Sequence, residues 1–100
     1  MRITVTARHM DISEVVKDYA TDKVDRLPRL YDRLTGADVV LDAAESGHSA
    51  EIILHQNKGA QIIAEGRHED MHAAIDEAIT KIETQLRKKK TMLKDKRRKE

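Results

Sequence analysis

Apolar and polar side chains alternate at the start of the chain. Ile3, Val5 and Ala7 fall on one face of Arg2-Ile3-Thr4-Val5-Thr6-Ala7, the period of a half-buried strand. The period then changes. Ile12, Val15, Val16, Tyr19, Ala20, Val24 and Leu27 recur at helical spacing, which predicts a helix from about Ile12 to Leu27, with an extension to Tyr31 as the longer reading. Asp11 is its expected N-cap, with Glu14 completing a capping box. Pro28 lacks an N–H and disfavours the helical conformation of Leu27, so a kink or break is expected there.

Three more strands follow by alternation. Ala37 to Ala43 places Val39 and Leu41 on one face, and Ala50 to His55 does the same with Ala50, Ile52 and Leu54. Glu45-Ser46-Gly47-His48 supplies the turn between them. Asn57-Lys58-Gly59 has the residues of a tight hairpin loop, because Asn and Gly tolerate positive φ. Ala60 to Glu65 returns as the fourth strand. Asp70 is the N-cap of a second helix that starts at Met71, with a stripe of Met71, Ala74, Ile75, Ala78, Ile79, Ile82 and Leu86. After Leu86 the stripe gives way to Lys89, Leu93, Lys96 and Arg97, so the helix is expected to project beyond its packing partner. The reading is an α+β fold in the order β-α-β-β-β-α. A four-stranded, mostly antiparallel sheet carries both helices on one face.

Charge changes this picture. From Lys81 to Glu100 ten Lys or Arg face three acids, a net +7, and residues 1–80 carry a net −6. The overall +1 hides a strong dipole. Macrodipole complementation at a helix C-terminus explains one or two lysines, not ten bases, and the pattern points to a polyanion, with RNA the first candidate. Lys23, Arg26, Arg29 and Arg33 form a second basic set near the end of the first helix. Lys23 falls within the apolar stripe, where its stem packs and its ammonium snorkels out. The competing reading of Arg29 and Arg33 is ion pairing with Asp25 and Asp32. If the two helices lie side by side, both sets form one surface able to straddle duplex RNA by shape. Lys58 at a hairpin tip either reaches a further phosphate or is an exposed turn residue.

Other chemistries find little support. The only aromatics are Tyr19 and Tyr31, which argues against a platform for stacking bases. No Cys is present, so thiolate zinc sites and cysteine nucleophiles are excluded. His68 and His72 are four apart, but His68 precedes the expected N-cap, and no compact ligand set emerges for a metal. Asp76 and Glu77 point different ways, Ser13, Ser46 and Ser49 have no base partner, and no Gly-rich phosphate loop occurs. The expectation is no catalytic residue, no cofactor and no small-molecule substrate. No apolar run is long enough for a bilayer and the N-terminus lacks a signal-peptide block, so the expected location is cytoplasmic, with no membrane partner.

Several segments together carry a resemblance: His48-Ser-Ala-Glu-Ile-Ile-Leu-His55, Ala64-Glu65, Asp70-Met71-His72-Ala73-Ala74-Ile75-Asp76 and Gln85-Leu86-Arg87-Lys88-Lys89-Lys90. In the first helix Lys23, Arg26-Leu27 and Tyr31-Asp32-Arg33 fit the same pattern. Over residues 1 to about 95 the chain resembles the ribosome hibernation-promoting factors, a bacterial family that includes the ribosome-associated inhibitor A and the sigma-54 modulation proteins. The resemblance implies a fold similar to double-stranded RNA-binding domains with an extra leading strand. It implies a ribosome-binding domain over residues 1–95 and a basic tail at 96–100, with fraying after about Leu93. It also implies binding to small-subunit rRNA in the decoding region, where messenger and A- and P-site tRNA are blocked and idle ribosomes are preserved in stationary phase or stress. The rRNA-binding residues that carry over are Lys23, Arg26, Arg33, Lys81, Arg87, Lys88 and Lys90, joined by Arg8, Lys58 and Lys94. His72 stands where the family has Tyr, and Pro28 is a departure expected to displace Arg29 to Arg33. No second domain follows, which resembles the short members. These either work with a separate ribosome-dimerisation factor or leave ribosomes as inactive monomers. The rival readings are a protein-interaction module modulating transcription and a general duplex-RNA binder.

Overall fold

The structure, a computed structural model, describes the backbone of residues 1–98 and the side chains of residues 1–92. Its elements are β1 (Arg2–Arg8), α1 (Glu14–Asp25), β2 (Leu34–Ala44), β3 (Gly47–Gln56), β4 (Ile62–His68) and α2 (Met71–Arg98), with a 3-10 turn at Leu27–Arg29. This is the expected β-α-β-β-β-α order. The strands lie in the order β1-β2-β3-β4. β1 runs parallel to β2 because α1 carries the chain back across the sheet, and the β2–β3 and β3–β4 pairs are antiparallel. The expected fraying after Leu93 and the tail at 96–100 fall where side chains are not described.

Alternation sends Ala37, Val39 and Leu41 of β2, Ala50, Ile52 and Leu54 of β3, and Ile62 and Ala64 of β4 to one buried face. The helices return Ala20, Val24, Ala74, Ile75, Ala78, Ile82 and Leu86 onto it. Every side chain in this core is aliphatic apart from Tyr31 and Met71. Gly66 sits on the same face of β4 and controls how close α2 comes. A Cβ there would lie 2.1 Å from the Ala74 carbonyl oxygen and 2.6 Å from the Ala78 nitrogen. Only a residue without a side chain lets α2 rest on the strand at this point.

Local boundaries differ from the sequence expectation in several places, with β2 starting at Leu34 and β3 at Gly47, each three residues ahead of its expected start. Helix α1 starts at Glu14, not Ile12. Its N-cap is Ser13, whose Oγ accepts from the Val16 N–H at 3.2 Å, so Asp11 is not the cap. Ile12, just ahead of the Ser13 cap, packs against the core from outside the helix. At its other end α1 stops at Asp25, and Pro28 lies in the first turn of the 3-10 segment, where its missing N–H costs no bond. The break keeps Leu27 and Tyr31 buried, the latter with its hydroxyl donating to Gln56 Oε1 at 2.9 Å. The fourth strand begins at Ile62 rather than Ala60 and runs on to His68, because residues 57–61 are all taken by the loop, with Gly59 at φ +110. Asp70 caps α2 as expected, its carboxylate accepting from Ala73 N–H at 3.0 Å.

The other sheet face is uncovered and mixed, with Ile53 and exposed Ile63 beside polar pairs. Thr4 donates its hydroxyl to Asp38, and His55 Nε2 donates to the same carboxylate at 2.9 Å. Those two bonds, Thr4's first, hold Asp38 below the ordinary carboxylate range. His9, in the left-handed region at φ 58, does likewise for Asp42 at 2.9 Å.

Two outcomes follow from this packing. Gly66→Ala should lower stability by about 1–3 kcal/mol, toward the upper end because both contacts are backbone atoms, read as a lower urea midpoint at unchanged slope. Asp38→Asn should be destabilising at pH 7 but lose its effect in acid. The depressed carboxyl contributes fully above its unfolded value of about 3.9 and loses that contribution as pH falls through its lower folded value. Urea midpoints of both proteins at pH 7 and near pH 2.5 check this, and a difference that persists unchanged in acid would contradict it.

Candidate nucleic-acid interface

The topology gathers the basic residues at one end of the molecule. β1 pairs Arg2 with Gly36 and Arg8 with Asp42, so the sheet's two ends are set by β2. At the Gly36 end lie the end of α1, the 3-10 turn, Arg33 and the 57–61 loop, whose Asn57 N–H donates to the Arg33 carbonyl at 3.3 Å. α2 runs antiparallel to β4. Its early turns meet Gly66, Lys81 reaches Glu65 and Gln85 reaches Ile63, so it too leaves the sheet at this end. Past Leu86, the last buried residue of its stripe, the helix backbone continues to Arg98, about 18 Å further. Lys23, Arg26, Arg29, Arg33, Lys58, Arg87, Lys88 and Lys90 therefore share one pole. Both helix C-termini point there as well, where cations are favoured. The other pole carries Asp11, Glu14, Asp42, Glu45, Glu69 and Asp70 beside the two helix N-termini.

Among the described residues, Arg26, Arg29, Arg33, Arg87, Lys88 and Lys90 have no carboxylate within ion-pair distance. The alternative reading, in which Asp25 and Asp32 neutralise Arg29 and Arg33, is not what the structure shows. The break at Pro28 takes Arg29 into the 3-10 turn and leaves Arg33 in the turn before β2, exposed.

Two sequence candidates stand apart. Arg8 lies at the opposite pole, about 20 Å along the sheet. Lys81 is at the pole's margin but is occupied: its Nζ donates to the Glu65 carbonyl at 2.9 Å and pairs with Glu77 at 3.0 Å, holding Glu77 below its usual range. With Gln85 Nε2, which donates to the Ile63 carbonyl at 2.8 Å, Lys81 covers the outer edge of β4. Lys94 has its side chain outside the described residues. Helical spacing puts Arg87 and Lys90 on the line through Asp76, Thr80 and Glu83 that faces α1, while Lys88 continues the line of Lys81.

A clasp holds the two basic helices side by side. Tyr19 of α1 donates its hydroxyl to Asp76 of α2, and its ring meets His72 edge-on with centroids 4.8 Å apart. Lys23 lays its ammonium 5.4 Å from the Tyr19 ring centroid, the snorkelling geometry expected of it. The bond to Asp76, with some desolvation, raises the Tyr19 phenol above its ordinary value. Sequence reasoning assigned Tyr19 to an apolar stripe and gave Asp76 no role. The partners are 57 residues apart, and no spacing rule links them. His68, by contrast, is used locally, its Nδ1 accepting from the Asp70 N–H at 3.0 Å.

The sequence profile described as Sigma 54 modulation protein / S30EA ribosomal protein matches residues 3–94. The chain belongs to that family. A ribosome hibernation promoting factor of Azotobacter vinelandii is 34% identical over 90 residues, 90% of this chain and 83% of that protein. The protein of the same name in Escherichia coli (strain K12) is 35% identical over 94 residues, covering 94% and 98%. The crystal structure of the Thermus thermophilus Protein Y N-terminal domain superposes with a TM-score of 0.79 at 34% identity, covering 88% of this chain and 98% of that one. A ribosomal subunit interface protein from Coxiella burnetii shares the fold, with a TM-score of 0.83 at 24% identity over 91% and 99% of the two chains. In this member of the S30EA family, His72 contributes an aromatic edge to the Tyr19 clasp.

A double-mutant cycle on Tyr19→Phe and Asp76→Ala should return a coupling of about 0.5–1.5 kcal/mol in chemical unfolding, at the low end because the pair is exposed. Additive effects would mean that the clasp does not hold the helices.

Proposed function

We propose that this chain is a ribosome hibernation factor. It binds small-subunit rRNA through its cationic pole, occupies the decoding region, and keeps messenger and A- and P-site tRNA from binding. Idle ribosomes are thereby preserved in stationary phase or stress, in the bacterial cytoplasm. The observation that carries the reading is the convergence at one pole of bases from α1, the 3-10 turn, the 57–61 loop and α2 that have no carboxylate partner among the described residues. The names of the relatives, ribosome hibernation promoting factor and ribosomal subunit interface protein, point the same way.

The mechanism needs no bond made or broken. Two parallel-running basic helix ends, held at fixed spacing by the Tyr19 clasp, fit a groove walled by phosphates. The extension of α2 past Leu86 reaches into such a groove without exposing the core. Each phosphate neutralised releases counterions, so affinity falls as salt rises. The rRNA contacts proposed are Lys23, Arg26, Arg33, Lys58, Arg87, Lys88, Lys90 and Lys94. Lys81 joins them only by exchanging its Glu65 and Glu77 contacts for a phosphate.

Co-sedimentation with separated subunits across a salt series tests the reading. The chain should pellet with the small subunit at low salt. Arg87→Ala with Lys88→Ala should weaken binding and make the slope of log affinity against log salt shallower by about two. Arg67→Ala, a base already paired with Glu65 on the open sheet face, should leave both unchanged. No pelleting of the unmodified chain would contradict the proposal.

A further inference from the structure

We infer that the groove between α1 and α2 is a pocket for one unpaired guanine nucleotide of RNA, a proposal that rests on the RNA-binding reading above. The groove, of about 250 Å³, is lined by Lys23 of α1 and Arg26 at its C-cap, and by Asp76, Ile79, Thr80 and Glu83 of α2. Lys23 and Arg26 are three apart, and Asp76, Thr80 and Glu83 lie three, four or seven apart on one face of α2, with buried Ile79 beside them. Both signs of charge line the same small space, yet neither Lys23 nor Arg26 has a carboxylate oxygen within 4.0 Å among the described residues. Opposed charges that share a groove without meeting leave room for a ligand that offers an anion to one wall and hydrogen-bond donors to the other.

A nucleotide is such a ligand. Its phosphate suits Lys23 and Arg26. Its base must then satisfy a carboxylate. Asp76 already accepts from Tyr19, whereas Glu83 has no partner among the described residues. Guanine alone among the RNA bases presents two adjacent donors, N1–H and the N2 amine, that a carboxylate accepts in parallel. Uracil would set a carbonyl against Glu83 on either side of its single N–H, and adenine and cytosine offer an amine beside a ring acceptor. Ile79, almost fully buried, gives the base an apolar floor. The volume lies below the roughly 300–1,000 Å³ of pockets for larger small molecules, which suits one nucleotide. The clasp at Tyr19 closes one end of the groove, and Arg87 lies one helical turn beyond Glu83 at the other.

The test is fluorescence anisotropy of the full chain at low salt with labelled hexauridine and with versions carrying one central guanosine or one central inosine, which lacks the N2 amine. The guanosine oligonucleotide should bind about tenfold tighter than hexauridine, within the range of one good bidentate base contact, and inosine should lose most of that gain. Glu83→Gln should abolish the preference while raising affinity for hexauridine, because a negative charge is removed. Equal binding of the guanosine and uridine oligonucleotides would overturn the pocket. So would a guanosine preference that survives Glu83→Gln, or no binding of any oligonucleotide by a chain that pellets with the small subunit. Failure to pellet with ribosomes would overturn the functional reading instead, and the oligonucleotide preference is scored independently of it.

Discussion

The contact of α2 with Gly66 is the constraint on which the rest of the arrangement depends. It lets the helix axis settle against β4 at Ala74 and Ala78. Everything further along α2 is indexed from that point. Ile82 and Leu86 drop into the core, and Lys81 and Gln85 swing over the strand's outer edge to take the Glu65 and Ile63 carbonyls. An edge strand with its carbonyls taken is a poor template for another chain's strand. The same geometry decides where packing ends, and hence where the basic part of the helix leaves the body.

The cationic pole is a consequence of topology as much as of composition. A parallel β1–β2 pair requires the chain to return along α1 to the start of β2. An antiparallel β3–β4 hairpin followed by a returning α2 brings the second helix to the same end. Both helices therefore bring together their C-termini and bases unpaired among the described residues, with Asp22, Asp25 and Asp32 at the same end, and both present capped N-termini at the other pole. The field this makes is that of an oriented rod with a charged tip, able to steer the chain end-on toward a polyanion.

Much of this was legible in the sequence, for identifiable reasons. Period-2 alternation around Val39, Leu41, Ile52 and Leu54, and the seven-residue stripe from Met71 to Leu86, report burial directly, and burial is what the fold realises. Pro28 announced its break through covalent geometry. Asp11 misled because Asp and Ser are comparable caps, and Ile12, just ahead of the Ser13 cap, packs against the core from outside the helix, a tertiary matter. The site was legible as a set of bases but not as an arrangement. Nothing local says that Arg8 lies a sheet's length from Arg33, that Lys81 is tied to a strand edge, or that Tyr19 and Asp76 meet across 57 residues. Those follow only from the register of strands and helices.

The central claim is that the cationic pole, not the rest of the surface, meets small-subunit RNA. The chain has no cysteine, so a single one can be placed at will for a tethered iron chelate that cleaves nearby RNA. The most direct measurement compares hydroxyl-radical cleavage of rRNA by complexes carrying the chelate on Lys58→Cys, at the basic pole, and on Glu45→Cys, at the opposite one. The account predicts strong, localised cuts in decoding-region rRNA from position 58 and weak or no cuts there from position 45. Stronger decoding-region cleavage from position 45, or none from position 58 in a chain that pellets with the subunit, would contradict it.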